Sequence, residues 1–212
     1  RFTTSHPKDL SDKLLKIMAG YPNICRHIHL PVQSGSSQIL KKMNRKYDRE
    51  WYFERIKSIR QHIPGCGITT DVFCGFCTET EEEHKDTLSL IEWANFEFSY
   101  MYIYSERPGT PAAKKLADDV PDDVKSRRLT EIISLQNGKS RQKNESYIGK
   151  VVTVLIEGHS KKSNLDWKGR SDQNSVTIFP CESYQPGDLV QVLIERSTTT
   201  AMIGKAIGYA SL

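Results

Sequence analysis

The chain has 212 residues, with 30 Lys or Arg against 26 Asp or Glu and a formal charge of +4. That length suits one large domain or two small ones, and 37% hydrophobic residues are enough for a packed core. Nothing in the composition calls for a membrane span or a secretory leader, and so slight an excess of positive charge is compatible with a nucleic-acid partner without requiring one.

The five cysteines, Cys25, Cys66, Cys74, Cys77 and Cys181, are an odd number set mostly in apolar surroundings. This fits a reducing, cytoplasmic setting rather than a disulfide scaffold. Cys74-Gly-Phe-Cys77 has metal-site spacing but no second pair, and His27-x-His29 could join it only if the fold brought them together. Buried strand cysteines are the expectation, and no metal is assigned.

Arg1–Ser5 reads as the end of a strand, in a chain that begins in mid-pattern and is expected to continue a longer one. Pro7 stands early in a helix whose face is Leu10, Leu14, Leu15, Ile17 and Met18, closed by Gly20 and Pro22. A short apolar strand follows at His27, and Pro31 ends its pairing. Gln33-Ser34-Gly35-Ser36-Ser37 then opens a helix over 37–43, with Ser36 or Ser37 as its cap; such a helix start favours oxygen-rich or anionic groups. Arg49–Ile63 is a second helix, with Trp51, Phe53, Ile56, Ile59 and Ile63 at three- and four-residue spacing before Pro64-Gly65.

Gly67–Phe73 is the next strand, and a tight polar turn over Gly75–Thr80 leads to an acidic helix start and on to Ala94. Phe98–Tyr104 is the fourth strand and runs into Ser105-Glu106-Arg107-Pro108-Gly109-Thr110. A long amphipathic helix extends from Pro121 to Glu145 on a stripe of Val124, Leu129, Ile132, Ile133 and Leu135. Strand–helix alternation of this kind predicts a mostly parallel sheet, with polar groups gathered at the carboxyl ends of its strands. Residues 1–146 are therefore read as the later part of a (β/α) barrel, too short to close by itself. Its unpaired edge near Phe2–Ser5 invites self-association, whereas the parent is expected to be a monomer.

From Tyr147 to about residue 210 the pattern changes to short strands: Val151–Ile156, Val176–Phe179, Leu189–Ile194 and Ala201–Ala206. These predict a small antiparallel, OB-like barrel of the sort that binds oligonucleotides. Lys150, Lys161, Lys162, Lys168, Arg170, Arg196 and Lys205 are its candidate phosphate contacts, with Trp167 or Phe179 as a stacking face.

The strings RFTTSHPKDL, HIHLPVQSGSSQILKKMNRKY, TDVFCGF followed by ET, YSERPGTPAA and GRSDQN together resemble the MiaB-type tRNA methylthiotransferases, which are radical S-adenosylmethionine enzymes. The resemblance covers nearly the whole chain, and the last part looks like the family's RNA-binding TRAM domain. It implies addition of a methylthio group to carbon 2 of isopentenyladenosine at tRNA position 37, in the anticodon loop. It also implies S-adenosylmethionine and two 4Fe-4S clusters. One cluster, on a CxxxCxxC loop, would generate a 5′-deoxyadenosyl radical; the other, on an N-terminal domain, is tied to sulfur supply. Neither cysteine set occurs here, so the parent is expected to be active and this chain alone inactive.

By position, the resemblance places Gln33 and Ser34 near the ribose or methionine part of the cofactor, and Asp71, Gly75 and Glu79 on its other side. Tyr104 and Ser105 fall near the adenine or substrate, and Arg107 near a carboxylate or phosphate. Asp71 capping its own loop and Arg107 pairing with Glu79 are the structural alternatives. Cys77 and Thr78 stand where the family has Pro and Gly, and Thr resists the left-handed backbone that Gly permits, so this turn is expected to differ. The sister activity on a ribosomal-protein aspartate, and a non-enzymatic RNA-binding protein, are the competing readings.

Overall fold

The computed structural model describes Arg1 and residues 7–210; the strand expected over Phe2–Ser5, and the sheet edge inferred from it, fall outside the described residues. In chain order the first part contains α1 (Asp12–Gly20), β1 (His27–His29), α2 (Ser37–Lys42), α3 (Arg49–His62), β2 (Gly67–Cys74), α4 (Glu81–Ala94), β3 (Phe98–Ile103), α5 (Pro111–Lys115) and α6 (Asp122–Glu145). The second contains β4 (Val151–Ser160), β5 (Ser163–Ser171), β6 (Val176–Pro180), β7 (Leu189–Ser197) and β8 (Met202–Tyr209).

Local chemistry sets the helix starts. Ser11, Ser36, Asp48, Thr80 and Thr110 each accept from a backbone N–H of the first turn, and Thr80 with Glu83 forms a reciprocal capping box. Between the two serines considered for α2, Ser36 is the cap, accepting from Ile39 N at 3.3 Å.

The three strands of the first part pair in parallel in the order β1-β2-β3. Successive side chains of a strand point to opposite faces. One face carries Ile28, Leu30, Ile68, Val72 and Cys74 into a core with Leu15, Tyr52, Ile56, Ile59, Leu90 and Ile91 from the helices. Hydroxyls buried there are satisfied: Tyr52 Oη and Thr70 Oγ1 donate to the Leu30 carbonyl at 2.6 and 2.8 Å. The opposite face carries Phe98, Tyr100 and Tyr102, exposed by 42, 50 and 46%.

The expected fold class needs correcting in both halves. The α/β part, expected as the later part of a (β/α) barrel, is an open sheet of three described strands. In the second part five strands pair in a ring, β4-β5-β6-β8-β7, around Val154, Ile156, Trp167, Phe179, Val190, Val192 and Met202. It is not the antiparallel barrel expected, because the β6–β8 seam is parallel and two residue pairs long, Thr177 with Met202 and Ile178 with Ile203. Its strand β5 was unforeseen: only Trp167, Gly169 and Ser171 of SNLDWKGRS turn inward, so the apolar alternation that marks a strand is nearly absent. Trp167 and Phe179 both lie in the ring core, so neither offers a base a stacking face.

Helix α6 joins the halves in an unexpected way. Of its expected stripe Ile132 is buried, whereas Ile133 is exposed. The buried face is mostly polar: Lys125, Arg128, Ile132, Gln136, Ser140 and Asn144. These side chains find backbone carbonyls. Gln136 Nε2 donates to Phe96 O at 3.1 Å, Ser140 Oγ to Glu97 O at 2.8 Å, and Asn144 Nδ2 to Thr198 O and Thr199 O at 3.0 and 3.1 Å. One helix thus binds the edge of the sheet to the β7–β8 turn of the ring.

Candidate functional site

The exposed face of the sheet gathers several polar and aromatic groups. Register puts Asp71 beside Tyr100 and Phe73 beside Tyr102, while His29 lies beside Thr69 on the other flank. His29 Nε2 is 3.5 Å from Asp71 Oδ1, and its Nδ1 is 3.0 Å from Thr69 Oγ1. The His29 ring meets Tyr100 edge-on at 6.0 Å, and Phe73 meets Tyr102 at 5.2 Å. Asp71 therefore does not cap its own loop; it stands half-buried on an aromatic floor. Sequence reasoning missed Phe73, Tyr100 and Tyr102, and weighed His29 only as a metal ligand, not as the neighbour of Asp71. The signal was present in the period-two spacing of Phe98, Tyr100 and Tyr102.

At the carboxyl end, Gln33 takes a left-handed backbone, φ 74°, and bridges to β2: its N–H donates to Asp71 O at 2.9 Å and its carbonyl accepts from Phe73 N at 2.8 Å. This places Gln33 directly beside Asp71, whereas the two were expected on opposite sides of the cofactor. Ser34 is fully buried, accepts from Ser36 N at 3.2 Å and lies 3.4 Å from Thr87 Oγ1, so it positions the loop from behind. Gly35 allows this closeness, since a Cβ there would sit 2.4 Å from Thr87 Cα.

Gly75 and Glu79 belong to the helix side. Gly75 has φ 71°, packs against the Lys125 stem and donates its N–H to Glu79 Oε2 at 2.6 Å. Glu79 is buried against α6, where Arg128 Nη1 donates to its Oε2 at 3.0 Å and to its carbonyl at 2.9 Å. Arg128, not Arg107, is the partner of Glu79. Burial nonetheless pushes the Glu79 carboxyl upward, with the Gly75 N–H and Arg128 opposing it. Tyr104 meets Phe76 edge-on at 4.8 Å, and burial pushes its phenol up to about 12. Ser105 and Arg107 are exposed in the loop beyond β3, where the Arg107 carbonyl accepts from Thr110 Oγ1 at 2.9 Å.

The turn holding Cys77 and Thr78 keeps the left-handed geometry, contrary to expectation: Thr78 has φ 63°, and its N–H donates to Asp119 Oδ1 at 2.6 Å. Lys42 donates to the Thr78 hydroxyl. A β-branched residue is strained there, so Thr78→Gly should raise stability by about 0.5–1 kcal/mol, read as a higher urea midpoint at unchanged slope.

Cys74 and Cys77 are both buried, and burial pushes the Cys74 thiol up to about 12, far from the thiolate that a metal requires. No group of three or more His, Cys, Asp or Glu among the described residues could hold a metal ion. The residues present therefore do not fit an iron–sulfur cluster, and no step is assigned to one here.

His27 is buried with Nε2 3.0 Å from Thr69 Oγ1, and burial lowers its pKa from 6.5 to about 4, with the neighbouring His29 adding to the effect. A depressed folded pKa means stability that is full above pH 6.5 and is lost as pH falls through 4. At pH 5 the loss is about 2 kcal/mol. Urea midpoints at pH 7 and pH 5 should differ by less in His27→Gln than in the parent.

On the ring, Lys161 and Lys162 are exposed in the β4–β5 turn, and Lys150 lies over the Tyr147 ring at 5.6 Å. Lys168 and Arg170 both face Glu157, at 3.3 Å each, and Lys205 faces Glu195 at 3.4 Å. The expected basic surface is thus partly neutralised.

Two family models match the chain: the Radical SAM superfamily over residues 1–91 and the TRAM domain over residues 145–207. A tRNA-2-methylthio-N(6)-dimethylallyladenosine synthase of Amoebophilus asiaticus is 56% identical over 97% of this chain and 42% of its own length. Proteins of the same name from Christiangramia forsetii and Bacteroides thetaiotaomicron are 54 and 53% identical, each over 98% of this chain and 43 and 46% of their own lengths. Along nearly its whole length the chain is thus similar to synthases of this one name, with a Radical SAM match in its first part and a TRAM match in its second.

It spans less than half the length of these methylthiotransferases. Among solved structures it resembles coproporphyrinogen III oxidase (HemN) from Escherichia coli, a radical SAM enzyme, with a TM-score of 0.54 and 14% identity over 89% of this chain and 45% of that one. At that identity the likeness concerns the fold alone. No helix among the described residues is long and apolar enough to cross a membrane.

Proposed function

We propose that this chain forms part of a tRNA-2-methylthio-isopentenyladenosine synthase, supplying one side of its reaction chamber and its RNA-holding ring. The observation that carries this reading is identity above 50%, over 97–98% of the chain, to proteins named tRNA-2-methylthio-N(6)-dimethylallyladenosine synthase. S-adenosylmethionine and two 4Fe-4S clusters would supply the radical and sulfur chemistry, the cluster ligands lying outside this chain.

Within this reading the exposed sheet face turns toward the cofactor. Gln33 offers side-chain donors and an acceptor and Asp71 a carboxylate, and the bond from Gln33 N–H to Asp71 O fixes their spacing. Phe73, Tyr100 and Tyr102 form an apolar wall that sheds water from the reacting groups. Tyr104, Ser105 and Arg107 border the chamber where the target base enters. Ser34, Gly75 and Glu79 hold the loops from the helix side instead of touching cofactor. The ring binds the tRNA backbone through Lys150, Lys161, Lys162, Lys168, Arg170 and Lys205, so its affinity falls as salt rises.

The deciding experiment uses the full-length protein carrying this chain, with its iron–sulfur content reconstituted under anaerobic conditions. It is offered isopentenylated tRNA and, separately, the ribosomal protein whose aspartate is the sister substrate. Methylthiolated adenosine in the tRNA supports the proposal. Methylthiolated aspartate with unchanged tRNA gives the sister activity, and RNA binding without either product leaves only an RNA-binding protein.

A further inference from the structure

We infer that the cleft between the sheet and the ring is a binding site for one unstacked nucleotide of the RNA. The inference rests on the RNA-binding reading above and specifies where a single-stranded base goes. The cleft has a volume of about 290 Å³, near the lower end of the about 300–1,000 Å³ usual for small-ligand sites. One wall is aromatic, Phe98 and Tyr100 of β3; the other is guanidinium and amide, with Arg170 of β5, Gln173 and Asn174 of the β5–β6 turn and Asn144 closing it from α6. A stacking face opposite amides and one cation is the set of groups that recognises an extruded base and its phosphate.

The cleft is built before any ligand arrives. Gly67 packs so tightly on the β5–β6 turn that a Cβ there would lie 2.6 Å from Gln173 O. Asn144 clamps the carbonyls of Thr198 and Thr199 on the far side. Arg170 is held by Glu157 at 3.3 Å and by Asn174 O at 3.1 Å. The acid that lines the cleft, Glu97, does not repel a phosphate, because Lys143 pairs with it at 3.0 Å and Ile68 N donates to it at 2.6 Å. Tyr100 is the register partner of Asp71, so the cleft opens onto the same sheet face as the candidate cofactor contacts. It also supplies the stacking surface that Trp167 and Phe179, buried in the ring, do not.

The test uses anticodon stem–loop RNAs with 2-aminopurine at each unpaired position in turn, binding being followed by anisotropy of an end label. The proposal expects the unaltered protein to quench one loop position strongly. Phe98→Leu/Tyr100→Leu should abolish that quench and weaken binding about tenfold or more, the worth of one lost stack. Should that double variant misfold, Asn174→Ala supplies the same readout from the opposite wall. Lys162→Glu should lower affinity while leaving the quench in place. Unaltered affinity and quench in the cleft variants, or RNA bound with no position quenched, overturns this inference and leaves the RNA-binding reading standing. Failure to bind RNA at all overturns both.

Discussion

Arg128→Met should cost about 3–5 kcal/mol, because it leaves a carboxylate buried without its partner. Arg128 reaches Glu79 twice, and its Nη2 lies 3.3 Å from Glu81 Oε2, which Arg127 also holds. Glu79 in turn accepts from Gly75 N and so fixes the turn that ends β2. Once the guanidinium is gone, desolvation acts on the Glu79 carboxyl with less opposition, and a proton relieves the charge. A folded pKa raised further means that the deficit is largest at neutral pH and shrinks as pH falls toward the unfolded carboxylate range. Urea unfolding at pH 7 and pH 5 checks both magnitude and sign. Glu79→Leu combined with Arg128→Met should recover at least half of the loss, since the charge left unpaired is then absent.

Asp71→Asn in the full-length enzyme should lower methylthio transfer about 100-fold while moving the unfolding midpoint little. Asp71 is half-buried on the exposed sheet face, with His29 Nε2 3.5 Å from its Oδ1, so the protein loses only a partly solvated contact. Under the proposed function the same carboxylate bounds the cofactor, and misplacing a reactant by as little as 1 Å costs on the order of 100-fold. The two variants form a contrast. Glu79 and Arg128 govern stability from the helix side, and Asp71 governs turnover from the open side. A variant of Asp71 that unfolds easily yet turns over normally would reverse that assignment.

The helices and the three parallel strands were legible because capping residues and apolar spacing agree there: Asp48, Thr80 and Ser36 each precede a periodic run. The parallel β6–β8 seam was not legible, because it pairs segments distant along the chain and leaves no mark in either stretch. Strand β5 escaped for a local reason, its inward residues being Trp167 and Gly169 between charged neighbours. The buried face of α6 escaped because Gln136, Ser140 and Asn144 read as solvated residues until the carbonyls they serve are in place. Among the site residues, Gln33 and Asp71 lie side by side, a closeness that only the pairing of the Gln33 loop with β2 reveals. Glu79 does not join them, since an acid at that position reads alike whether it faces a ligand or a buried arginine.

The most direct trial of the whole account is a chimaera. This chain replaces the matching segment of the full-length Bacteroides thetaiotaomicron relative, to which it is 53% identical, in a strain lacking its own tRNA methylthiotransferase. Nucleosides from the total tRNA are then separated and weighed by mass spectrometry. The account predicts that methylthio-isopentenyladenosine returns. Isopentenyladenosine that stays unmodified, with the chimaera folded and its iron–sulfur content intact, would contradict it.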